Sequence, residues 1–146
     1  MLEPTSSVSH LFATAGWRLE EVSMPTIEPA ASAEEVAKAV IARFKGLLVG
    51  STGHGREQAA SNVHFYTEPR PEVSIAVEAW RAKLGSLSAV AAAHNEHIII
   101  FVGSGGKYYA FTDSDEQLYS IGQTFSEAME RLLLGLSFGL SIRRDA

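Results

Sequence analysis

Residues 106–135 read GKYYAFTDSDEQLYSIGQTFSEAMERLLLG, and this stretch decides the fold. Segments rich in aromatic and β-branched side chains lie on both sides of the acidic run 113–116, a pattern typical of two strands joined by a tight turn. Thr124 and Glu127 then have the capping-box spacing that marks the start of a helix. The apolar face predicted for that helix recurs at helical intervals and comprises Phe125, Ala128, Met129, Leu132, Leu133 and Leu136.

A further strand is predicted directly before this stretch. Residues 97–102 form a continuous β-branched and aromatic run, as expected of a central strand covered on both faces. The glycines within 103–106 then allow a hairpin loop. With strands predicted at 107–112 and 117–121, these elements make an antiparallel meander. All five prolines precede it, which is consistent with interior strands that need every backbone donor.

Helices are predicted upstream from caps and apolar spacing. Ser32 and Glu35 form a second capping-box pair, and Gly46 is placed to end that helix. Its predicted buried face comprises Val36, Val40, Ile41 and Phe44. An earlier short helix is predicted from the apolar stripe between residues 8 and 15, and another from Ile75, Ala79, Trp80 and Leu84 before Gly85. Short strands are expected at 47–49 and 62–67.

These elements predict an α+β fold: an antiparallel-rich sheet with a C-terminal β-meander, packed against N-terminal and C-terminal helices. We expect a single domain over residues 1–146, with its core at about 10–139. The chain has no cysteine, which excludes disulfides and thiolate chemistry. No stretch has the composition of a signal peptide or a membrane span, so we expect a cytoplasmic protein that does not bind membranes.

The formal net charge of −5 argues against non-specific nucleic-acid binding and suits a basic protein partner, although modest acidity can also serve solubility alone. No catalytic, cofactor-binding or metal-binding set is predicted, so we do not expect an enzyme. The run 50–55 has the glycine spacing of a phosphate-binding loop, but Arg56 and Glu57 then stand where that motif requires a lysine and a serine or threonine. His94 and His97 would point to opposite faces at the start of a strand, which does not favour a shared metal.

The acidic run is the one candidate binding site. Asp113, Asp115 and Glu116 could meet a basic partner and steer its encounter, although the same residues are also what a solvated turn prefers. The aromatic residues Tyr108, Tyr109 and Tyr119 could anchor a partner, but hairpin aromatics more often pack against a covering helix. Both alternatives remain open from the sequence.

Four segments carry a resemblance to a known family: LFATAGW at 11–17, FKGL at 44–47, LYSIGQTF at 118–125 and ERLL at 130–133. Together they resemble the SUKH superfamily of bacterial immunity proteins, most closely its third family. The alanines at 87–93 favour a helix by propensity, but the corresponding stretch of that family is a strand, and we predict a strand.

The resemblance implies a cytoplasmic protein of a toxin-producing bacterium. Such a protein would bind a cognate polymorphic toxin, in many cases a nuclease, and block it by stoichiometric occlusion without a cofactor. The alternative is a small-ligand or regulatory binding domain on the same fold, because fold does not fix function. A pocket beside residues 50–55 would favour that alternative, whereas converging carboxylates and histidines would indicate an enzyme.

Overall fold

The computed structural model describes residues 31–49, 52–53, 56–57, 63–68, 70–93, 97–133, 138 and 141–142. Within these ranges the α-helices are α1 (Ala33–Phe44), α2 (Arg81–Leu84) and α3 (Phe125–Leu133), and two 3₁₀ helices span Pro71–Trp80 and Ser104–Gly106. The strands are β1 (Leu48–Val49), β2 (Thr52–Gly53), β3 (Arg56–Glu57), β4 (Val63–Phe65), β5 (Ser88–Ala93), β6 (Ile98–Val102), β7 (Tyr108–Thr112) and β8 (Gln117–Gly122). The predicted N-terminal helix and Leu136 lie outside the described residues.

One antiparallel sheet orders six of these strands as β1-β4-β5-β6-β7-β8, and β2 pairs with β3 in a separate ribbon. The last three strands are neighbours in sequence and in space, so the predicted meander and the α+β class are confirmed. Ile100 lies opposite Ala110, and Ala110 lies opposite Tyr119, which sets the register across the meander. The glycine loop before β7 folds as predicted, with positive φ at Gly105 and Gly106.

Strand β5 confirms the prediction for residues 87–93 against their helix propensity. Its residues Ala91 and Ala93 are fully buried, and β4 and β6 pair with the strand on its two edges. Helix α1 packs directly on β5. Small side chains let the helix approach the strand closely, and burial between neighbours on all sides outweighs the intrinsic preference of alanine.

Helices α1 and α3 cover the same face of the sheet through an aromatic cluster of Phe44, Phe65, Tyr108 and Phe125. The Phe44 ring from α1 stacks on the Phe125 ring from α3, with centroids 4.8 Å apart and planes at 2°. Phe65 of β4 lies 5.0 Å from Phe44, and Tyr108 of β7 meets Phe125 edge-on at 5.9 Å. Buried aromatic pairs contribute beyond their area, so this cluster ties both helices to the sheet.

Both predicted helix caps form, but they differ in detail. At α1, the Ser32 hydroxyl accepts from the Glu35 amide at 3.2 Å, and the Glu35 carboxylate accepts from the Ser32 amide at 3.1 Å. Before α3, the Thr124 hydroxyl accepts from the Glu127 amide at 3.2 Å. There the Glu127 carboxylate accepts from the Gln123 amide at 2.7 Å, one residue earlier than a capping box requires.

The helix before Gly85 is confirmed, and its predicted buried face is correct in part. Trp80 is buried and Leu84 packs against the core, as predicted, but Ile75 is 80% exposed and Ala79 is also exposed, while Val77 is buried. The reason is the winding: residues Pro71–Trp80 form a 3₁₀ helix, in which residues three apart share a face. Trp80 packs edge-on against Phe111 of β7, and its indole donates to the Ile142 carbonyl at 2.8 Å.

Candidate functional site

The predicted binding residues lie on the turn between β7 and β8, named here the acidic turn (Asp113, Ser114, Asp115 and Glu116). All four residues are exposed. Glu116 has a φ of 54°, a left-handed conformation that costs a side-chain-bearing residue about 1–2 kcal/mol. The turn joins the last two strands of the meander and is supported by hydrogen bonds from neighbouring residues.

Asp115 provides most of that support. Its Oδ1 accepts from the Thr112 hydroxyl and from the Gln117 amide at 3.1 Å, while its Oδ2 accepts from the Tyr119 hydroxyl at 2.6 Å. These bonds, those from Thr112 and Tyr119 first, lower the pKa of Asp115 below its ordinary value. The same contact with Asp115 raises the pKa of Tyr119. Both carboxylate oxygens of Asp115 thus accept hydrogen bonds from residues that flank the turn.

This geometry predicts an acid-dependent loss of stability. A folded-state pKa below the unfolded value stabilises the folded protein above the ordinary aspartate pKa of about 3.9, and the contribution disappears as pH falls through the folded-state value. We expect Asp115→Asn to be less stable than wild type at neutral pH, with the difference shrinking below about pH 4. Urea unfolding of both proteins across this range checks it, and a difference that is independent of pH would contradict it.

Asp113 is held by a residue that sequence analysis did not connect to it. His97 precedes β6, and its Nδ1 lies 3.2 Å from Asp113 Oδ2, while the Asp113 amide donates to the His97 carbonyl at 3.1 Å. The side chains remain 66% and 56% exposed, respectively. The β6–β7 register pairs Ile98 with Thr112 and so places their outer neighbours opposite each other. Counting residues along both strands from the loop at 103–106 would have predicted that residues 97 and 113 face each other.

Two of the three candidate aromatic anchors are core residues. Tyr108 and Tyr109 are 1% and 7% exposed, and burial raises the pKa of both hydroxyls. Tyr119 is half-buried, packs 5.8 Å from Phe138 and donates to Asp115. The packing alternative therefore holds for Tyr108 and Tyr109, and Tyr119 supports the acidic turn.

The Tyr108 hydroxyl is buried and has no hydrogen-bond partner among the described residues, which predicts a stabilising substitution. An unsatisfied buried hydroxyl costs about 1–3 kcal/mol, so Tyr108→Phe should raise the free energy of unfolding by about 1 kcal/mol or more. Tyr119→Phe is the matched control: it removes a hydroxyl that has a partner, and solvent limits the resulting loss to about 1 kcal/mol. Chemical denaturation of both variants measures the two changes, and equal signs would contradict the prediction.

The sequence also raised metal binding, membrane insertion and a ligand pocket as kinds of site to check in the structure. In the described part of the chain, no group of three His, Cys, Asp or Glu residues could hold a metal ion. No helix among the described residues is long and apolar enough to cross a membrane. His94 and most of the glycine-rich run 50–55 lie outside the described residues. A cleft of about 430 Å³ is present elsewhere, between α1, the Pro71–Trp80 helix and the start of β5.

The geometry defines an α+β protein whose antiparallel sheet carries two helices on one face and an ordered acidic turn at the end of its meander. A family model described as SUKH-3 immunity protein matches residues 5–135, and the chain belongs to this family. The predicted resemblance to the third SUKH family is thereby confirmed. Comparisons with curated proteins and with solved structures gave no match.

Proposed function

We propose that this protein neutralises a cognate polymorphic toxin by binding it stoichiometrically and occluding its active surface, without catalysis. The observation that carries the proposal is the family match over residues 5–135. The formal net charge of −5 supports a basic toxin, of which a nuclease is one candidate class, and the family supports action in the cytoplasm.

We place the toxin contact at the acidic turn and divide the work among its carboxylates. Both carboxylate oxygens of Asp115 accept hydrogen bonds, from Thr112, Gln117 and Tyr119, so its role is to shape the turn. Asp113 and Glu116 would meet the cations of the partner: Asp113 is 56% exposed, and the left-handed backbone at Glu116 fixes where its side chain starts. Exposed charges of this kind raise the association rate and set orientation more than they add affinity.

The first experiment is a tagged pull-down from the native organism at low and then high salt, with co-purifying proteins identified by mass spectrometry. A stoichiometric partner that carries a toxin domain is the expected result. Absence of such a partner, even when neighbouring genes are co-expressed, would end the immunity proposal.

With the toxin in hand, charge-neutralising variants test the acidic turn. We expect Asp113→Asn with Glu116→Gln to slow association by about tenfold at low salt, and the difference should shrink as salt screens the charges. Glu72→Gln is the matched control, because Glu72 is an exposed carboxylate of the Pro71–Trp80 helix. Stopped-flow mixing measures the rates.

Replacing Asp113, Asp115 and Glu116 together by alanine separates the remaining interpretations. Loss of toxin binding with the fold intact supports the interface. Unchanged association would mean that the acidic turn has only a structural role in the hairpin. Loss of a measurable turnover would indicate an enzyme. Circular dichroism of each variant establishes that it is folded.

A further inference from the structure

The cleft between α1, the Pro71–Trp80 helix and β5 has the composition of a ligand site. Its volume of about 430 Å³ lies within the range of small-molecule pockets. The apolar part of its lining consists of Ala37 from α1, Val77 from the 3₁₀ helix, and Leu87 and Ala89 around the start of β5. These four residues are 3–6% exposed, so they form a fixed floor within the protein core.

The charged residues around this floor include one more cation than carboxylates. Lys38, Arg70 and Arg81 line the cleft, together with only two described carboxylates, Glu34 and Glu78. Arg81 lies 3.5 Å from Glu78, and Glu34 precedes Lys38 by one helical turn, a spacing that places the two on one face of α1. Each carboxylate thus has a nearby cation, and Arg70 remains as the additional positive charge.

Arg70 is also the cation of this cleft that lies over an aromatic ring. Its guanidinium lies 4.3 Å from the centroid of the Tyr66 ring, and Tyr66 is itself buried. No described carboxylate forms an ion pair with Arg70. A ring face attracts a guanidinium and leaves it able to pair with a carboxylate, which it can bind through two parallel hydrogen bonds.

We infer that this cleft binds a small carboxylate with an apolar body, the carboxylate pairing with Arg70 and the body lying on the apolar floor. At roughly 30 Å³ per water-sized group, the cleft holds on the order of a dozen non-hydrogen atoms. None of the residues that line the cleft belongs to the acidic turn, so the cleft is a second site. The inference does not depend on the proposed immunity function.

Decanoate is a suitable probe, and decanol is the matched compound without the charge. We expect titration calorimetry of the full chain to show saturable decanoate binding, with decanol at least tenfold weaker. Removing the charge-assisted hydrogen bonds with Arg70→Gln should weaken decanoate by about ten- to a hundredfold. Arg131→Gln on α3 is the control, since Arg131 does not line the cleft. The affinity of this variant for decanoate should equal that of the wild type.

Amide shifts in ¹H–¹⁵N spectra locate the ligand independently of affinity. The expected shifts are at residues 85–89, which line the cleft, rather than at the acidic turn. Three results would each overturn the inference: no saturation at millimolar decanoate, equal binding of decanoate and decanol, or an unchanged affinity in Arg70→Gln. If no toxin binds the protein but decanoate does, the proposed function is wrong and the carboxylate site is still supported.

Discussion

Replacing Phe125 by alanine should lower the free energy of unfolding by about 3–5 kcal/mol, the usual cost of deleting a buried aromatic ring. Phe125 is 1% exposed and contacts Phe44, Phe65 and Tyr108. The cavity left behind would lie between α1, α3 and the sheet, so no single neighbour can fill it by a rotamer change. Both helices should lose part of their attachment at once.

Chemical denaturation followed by circular dichroism measures this loss. Ile75→Ala is the matched control, because Ile75 is a large apolar residue that is 80% exposed, and its truncation should change stability by less than about 0.5 kcal/mol. A cost below about 1 kcal/mol for Phe125→Ala would show that the aromatic cluster does not join the helices to the sheet.

The second large effect is expected at Gly122, the last residue of β8. A Cβ added there would lie 2.7 Å from the Ala128 amide nitrogen and 3.0 Å from the Thr124 carbonyl oxygen. Both atoms belong to the backbone at the start of α3, so relief requires the helix to move away from the strand. We expect Gly122→Ala to cost at least about 2 kcal/mol, within the range of overpacking in a rigid core.

Gly103→Ala is the control for this clash. Gly103 has a φ of −107°, and its added Cβ would meet only side-chain atoms, Tyr109 Cε2 at 3.2 Å and Leu87 Cδ2 at 3.4 Å. Side chains can shift by the few tenths of an ångström that are needed, so this variant should lose less than about 1 kcal/mol. Thermal and urea unfolding of both variants compare the two costs, and equal losses would contradict a backbone clash at Gly122.

Local patterns were sufficient for much of the fold. The β6–β8 meander, both capped helices and their apolar faces were predictable because each depends on residues close together in sequence. The acidic turn was likewise predictable from its composition. The different roles of its carboxylates were not predictable, because the partners of Asp113 and Asp115 depend on the hairpin register and on side-chain rotamers.

The sequence by itself determined the strands and turns of the β6–β8 meander and the two helix caps, since these follow from the periodicity and backbone preferences of neighbouring residues. Tertiary structure overrode local propensity where an alanine-rich segment becomes the buried strand β5, and it decided that Val77 rather than Ile75 faces the core. It also brought Arg70 beside Val77 and Leu87 to form the cleft. These outcomes depend on contacts between distant segments, where burial and packing outweigh local propensity.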